Sequence, residues 1–358
     1  MDDKEARQLK NLLQEITQEQ PDFRCDEAAI TTEVTQSTSL LKRWPVKVLT
    51  ILGGLLATST LMGAIAMTVL LNSGIAMLVF GLVFLIGAEV MIRSSKDATT
   101  DALGVSWNMA SYVMLAIGTG QLTDNSTAVA LVLGIASTLV LVFSRSAICV
   151  FVAVLVLNGS LLSLTFMHQV YNLSHALLAM LAAVLTYMSL YEAKLLAASR
   201  RVALVFGPVR MGVILSLVTT LGLFMHQKFL SSSITHFWLS GLFLIGCLLL
   251  LLNRVLCENG VEDKKTQAIF YTCCGLILVP TMMAPSVPGA LLVVLSSFYI
   301  GHKTGFWVGL LALAYFLVLY YYDLHMTLLA KSGVLVLTGS LFLAGLYLLN
   351  RYLRRHEV

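Results

Sequence analysis

Asp323 and Lys331 flank a short polar break in the run Tyr320-Tyr321-Tyr322-Asp323-Leu324-His325-Met326-Thr327-Leu328-Leu329-Ala330-Lys331-Ser332, which lies between two strongly apolar stretches. An acid and a base at such a junction can hold a ligand or a partner through charge-assisted hydrogen bonds. Tyr322 and its two neighbours would anchor the preceding helix at a membrane interface, and Thr327 would cap the helix that follows. Lys331 falls one turn into that second helix, where a cation opposes the macrodipole, so helix stability does not account for it. A compensating contact is required, and Asp323, a lipid phosphate or a partner's carboxylate would each serve. Snorkelling of Lys331 to outer phosphates is the plainer alternative. Asp323, Thr327, Lys331 and Tyr322 are thus the candidate contact residues.

Other chemistry is thinly represented. The six cysteines, Cys25, Cys149, Cys247, Cys257, Cys273 and Cys274, show no paired metal-ligand spacing, which argues against a zinc site or a disulfide framework. His168, His175, His226, His236 and His325 gather on one predicted side of the membrane but come from separate segments with no ligand spacing. No nucleotide-binding loop, His-Glu-x-x-His motif or serine elbow occurs. Neither catalytic residues nor a cofactor nor a bound metal is expected, and the chain does not read as an enzyme. Apolar runs here carry no ionisable group at mid-membrane depth, where burial is costly enough to demand a functional reason. Glu89 lies near a span end and pairs with Arg93 four residues on. Asn108, Ser111, Asn158, Thr219 and Thr220 are the intramembrane polar groups, and interhelical hydrogen bonds would satisfy them.

The elements that position these residues follow from composition. Of 358 residues 58% are hydrophobic and only 12% charged, against about 25% charged in an average soluble domain. The net charge of +4 comes from basic residues at the ends of apolar runs, a topological pattern and not a nucleic-acid surface. Residues 1–44 form a cytoplasmic segment with a short amphipathic helix marked by Leu9, Leu12, Leu13 and Ile16. Residues 45–358 form an all-α, polytopic transmembrane bundle of about 12 spans, since runs near the roughly 20 residues needed to cross a bilayer recur with short breaks. The spans fall at 46–71, 74–92, 104–121, 127–143, 147–165, 173–191, 209–225, 236–253, 267–284, 287–301, 305–322 and 329–350. The third and tenth are short enough to be tilted or re-entrant. With both termini inside, all of the 23 basic residues except Lys228 and Lys331 are cytoplasmic. Trp44, Trp107, Trp238 and Trp307 fall at predicted span ends, where aromatic belts form. Pro280, Pro285 and Pro288 mark a candidate helix break between the ninth and tenth spans, with a tight outer turn as the plainer reading. Gly301, Gly305 and Gly309 form a small-residue ridge suited to close helix packing.

The stretch from Tyr320 to Asn350, with its three tyrosines, Thr-Leu-Leu, Lys-Ser and Thr-Gly-Ser before a final apolar helix, resembles the C-terminal signature of the bacterial family called domain of unknown function 4401. The earlier spans, including Asp101 to Gln121, are more loosely similar to domain of unknown function 2157. The resemblance implies a multi-span protein of the bacterial cytoplasmic (inner) membrane and a small membrane-anchored partner with a GDYxxLxY motif, facing outside. It supplies no reaction. Two functions stay open, a subunit or scaffold of a cell-envelope membrane complex, and a transporter or lipid-handling protein with an outward-facing site near the last two helices. Membrane lipids are the expected contacts in either case, and oligomeric state is open.

Overall fold

The computed structural model describes residues 73–94, 98–225, 236–258, 281–282 and 284–323, together with isolated positions elsewhere. The amphipathic segment 1–44, the spans expected at 46–71 and 329–350 and most of 267–284 lie outside these residues. Ten helices and no strands occur among the described residues: α1 (Gly74–Ser94), α2 (Ala98–Thr123), α3 (Ser126–Phe143), α4 (Ala147–Met167), α5 (Leu173–Leu190), α6 (Glu192–Ala198), α7 (Arg200–Met225), α8 (Phe237–Glu258), α9 (Ser286–Tyr299) and α10 (Lys303–Asp323). Seven of them, α1, α3, α4, α5, α7, α8 and α10, are long and apolar enough to cross a membrane.

The chain divides into two compact units, residues 1–114 and 115–358. In the first, α1 packs against the N-terminal part of α2 through Met77, Phe84, Ala110 and Met114. Glycines set the approach, because a side chain on Gly104 would meet Ile92 at 2.7 Å and one on Gly87 would meet the Trp107 ring at 3.1 Å. Trp107 stacks at a tilt on Phe84 with ring centroids 4.8 Å apart. It therefore packs inside this unit, nine residues into α2, which starts at Ala98, before the apolar run that sequence alone detects. At 26 residues α2 is not a short helix, although it is not among the seven apolar enough to cross.

In the second unit α7 is central, packing on α4, α5, α6, α9 and α10. Leu217 and Leu221 of α7 are fully buried with Leu178 and Leu185 of α5, Leu244 and Leu251 of α8, and Leu292 and Val293 of α9. Outward faces are as apolar as the interior, with Leu311, Val318, Leu131 and Ile135 exposed, as expected of helices whose surroundings are lipid. Where apolar side chains face lipid and protein alike, close backbone contact drives association. Gly212 fits against Val154, Gly289 against Leu221 and Gly241 against the backbone of Met282, and a Cβ at each would clash. Local signals fix the ends. Asn125 caps α3 by accepting from the Thr127 N–H at 2.9 Å. Arg201 donates to the carbonyls of Leu141 and Ser144 at its far end, where a cation suits the macrodipole.

Proline and glycine near α9 and α10 have sharper roles than a helix break and a ridge. Pro285 immediately precedes α9 and Pro288 sits in its first turn, where a missing N–H is no loss, so Pro288 does not interrupt a helix. Pro280 lies outside the described residues. Gly305 and Gly309 are buried on α10, against Ser297, His302 and Ile214 and against Val293 and Val294 respectively. Gly301 is exposed in the α9–α10 turn at φ +73°, with open space around its Cβ position. Its place is the left-handed turn, which favours glycine, and packing falls to the other two.

Candidate functional site

Arg210 is the side chain that sequence reading assigned to a cytoplasmic break and the fold places elsewhere. The apolar run of the seventh span begins at residue 209, yet α7 starts at Arg200 and runs through Pro208. Proline only removes the amide that would serve the carbonyl of Leu204 and need not end a helix held on several sides. Arg210 consequently lies ten residues into α7 and is only 7% exposed. It is about 22 Å from the C-terminal end of α7.

Its environment is built for a cation. Arg210 Nη1 donates to Glu192 Oε1 at 3.1 Å, and the guanidinium carbon lies 5.4 Å from the centre of the Phe206 ring, one turn earlier on α7. Glu192 opens α6, none of whose residues is buried, and its own side chain is 29% exposed. Taking an ion out of water costs several kcal/mol even after its surroundings relax. A partly exposed ion pair returns no more than about 1 kcal/mol, so Glu192 does not by itself offset the burial. Arg210 Nε is also buried with no hydrogen-bond partner.

The α9–α10 turn closes this end of the bundle. His302 is the N-cap of α10, and its Nδ1 accepts the Gly305 N–H at 3.0 Å. A neutral imidazole is needed for that bond. Burial, and then the charge of Arg210, hold the His302 pKa below its ordinary value of 6.5. Ser297 Oγ is buried without a hydrogen-bond partner, and it and His302 Nδ1 lie 2.6 and 2.7 Å from where a Gly305 side chain would begin. Arg210, Glu192, Phe206, Ser297 and His302 thus cluster at one end of the second unit.

At its opposite end His175 is buried, hydrogen-bonded through Nδ1 to Ser240 and set edge-on to Phe224. Between the two ends Asn158 reaches from α4 to the Ser216 carbonyl and Thr220 hydroxyl of α7, both at 3.4 Å. Ser111, Thr219 and Thr220 donate instead to carbonyls of their own helices, the local bonding available to short hydroxyl side chains. Glu89 and Arg93 form the i,i+4 pair at 2.8 Å. Among the described residues no group of three His, Cys, Asp or Glu is placed to hold a metal ion.

The expected outer site is placed only in part. Tyr322 is exposed near the end of α10 with its ring edge-on to Tyr321, and Asp323 is the last residue of that helix. Thr327 and Lys331 lie outside the described residues. The Arg210 cluster escaped sequence reasoning because its members are far apart in the chain. Its one local signal was a basic residue two positions past a proline.

These helices, apolar on both their inner and outer faces and carrying a charged pair within the bundle, define an all-helical membrane protein. The family described as Domain of unknown function (DUF4401) matches residues 43–352, and the chain belongs to it. No curated protein and no solved structure matches the chain.

Proposed function

We propose that this protein is a carrier or lipid-handling protein of the bacterial cytoplasmic membrane, with about twelve spans and both termini inside, which binds an anionic group at the Arg210 end of its bundle. The observation that carries this reading is the buried guanidinium, whose cost exceeds what its visible partner returns. An intramembrane charge facing the interior of a bundle marks a substrate or ion pathway by default. Sequence alone offered no such charge, which favoured a scaffold; Arg210 shifts the balance.

The chain purified with its native lipids and examined by native mass spectrometry should carry an anionic species that Arg210→Gln loses. An identical bound set in the two proteins would remove the reading. Docking of a small outer membrane-anchored partner through Asp323, Thr327 and Lys331 remains the second proposal, supported by the exposed Tyr322.

A further inference from the structure

We infer that Glu192 is an internal stand-in for a ligand, holding the guanidinium of Arg210 until the oxyanion of a phosphate or carboxylate group displaces it. The inference rests on the carrier or lipid-handling reading above and names the chemistry of its site.

The two partners of the ion pair are held very differently. Arg210 is fixed in the interior of a 26-residue helix that packs on five others, with its side chain 9% exposed. Glu192 is the first residue of a seven-residue helix with no buried residue. When such a pair opens, the carboxylate is the side that moves. Guanidinium offers five donors in a fixed planar fork that suits a bidentate oxyanion. Glu192 accepts through one oxygen, from Nη1. Nε remains buried and without a hydrogen-bond partner, and so does Ser297 Oγ, from α9. Buried unpaired polar groups are rare, and each calls for a physical reason. A second donor is at hand in His302, whose Nδ1 is taken by the Gly305 N–H and whose Nε2 therefore bears the proton in the neutral ring. Three donors of different chemistry, from α7, α9 and the α9–α10 turn, suit an anion that accepts several hydrogen bonds at once. A single carboxylate oxygen at the mouth of the site does not exhaust them.

Such an oxyanion reaches the site as a free solute or as the headgroup of an anionic lipid in the cytoplasmic leaflet. The full chain is placed in nanodiscs of phosphatidylcholine, and its unfolding temperature is followed against inorganic phosphate, with chloride at matched ionic strength as control. A parallel arm replaces phosphate with phosphatidylglycerol in the disc. Glu192→Gln removes the competing charge and should respond at about fivefold lower phosphate or phosphatidylglycerol than the wild type, the worth of a partly exposed ion pair. Arg210→Gln should not respond. Glu192→Asp, which shortens the competitor but keeps the pair, should fall between and serves if the glutamine variant does not fold. A response shared equally by wild type, Glu192→Gln and Glu192→Asp overturns displacement and leaves the binding site standing. No response in any protein, in either arm, overturns both.

Discussion

At the scale of single residues, His302 joins the charge of Arg210 to the stability of α10. Its ring must stay neutral to accept the Gly305 N–H, and a proton there would also place a positive charge at a helix N-terminus. The charge that acts on it is that of Arg210 from α7, and Lys303 follows it in the chain. Since the folded pKa lies below 6.5, the unfolded chain binds more protons in the window just below that value. Stability from His302 is therefore complete above 6.5 and is lost as the pH falls toward the folded pKa. Unfolding temperatures measured between about pH 7.5 and pH 5.5 should drop on acidification, and His302→Asn, a capping residue that does not titrate, should flatten the drop. Equal slopes for the two proteins would show that other groups govern the acid limb.

At the scale of elements, close approach is specified by glycines that a sequence motif does not single out. Gly241 on α8 faces the Met282 carbonyl so closely that an added Cβ would lie 2.1 Å from its oxygen, and backbone cannot swing aside as a flexible side chain can. Gly241→Ala should destabilise by about 1 to 3 kcal/mol through forced displacement. Gly222 on α7 has nothing within 4 Å of its Cβ position. Gly222→Ala should be neutral or stabilise by up to about 1 kcal/mol, the difference in helix propensity. Thermal unfolding of the two variants side by side checks the contrast, and equal losses would mean that space at these positions does not decide the packing. The same reasoning separates the glycines of the α9–α10 region. Gly305 and Gly309 allow helices to meet, whereas Gly301 permits a backbone turn.

At the scale of the whole molecule, the proposed orientation puts Ser232 and Cys257 on opposite faces of the membrane, because Ser232 precedes the eighth span and Cys257 follows it. A cysteine introduced at Ser232 should react with an impermeant maleimide added outside intact cells. Cys257, an exposed free thiol at the end of α8, should react only after the membrane is opened. Reversal of the two labels would turn the bundle over and place the Arg210 end outside, where the anion would have to come from the outer leaflet or the periplasm. With the expected labels, Arg210 and His302 lie at the cytoplasmic end and His175 and Ser240 at the outer end. These clusters are separated by about 21 Å along α7, from Arg210 to Phe224.

Helical class, membrane residence and the positions of six of the expected spans were legible in the sequence because they depend on local composition. An apolar run of sufficient length must satisfy its backbone internally wherever it lies, and α1, α3, α4, α5, α8 and α10 fall within a few residues of where hydropathy places them. Family membership was legible in the motif around Tyr320 to Asn350. Helix ends were less so, since α2 and α7 extend through polar residues and through Pro208 once neighbouring helices hold them. The site belongs to the tertiary structure alone. Arg210 looks like any juxtamembrane base until α7 is seen to continue past it, and Glu192, Ser297 and His302 approach it only because α6, α9 and the turn before α10 pack at one end of α7. Whether a charge is solvated or buried is set by what folds over it, and residues far apart in the chain do the covering.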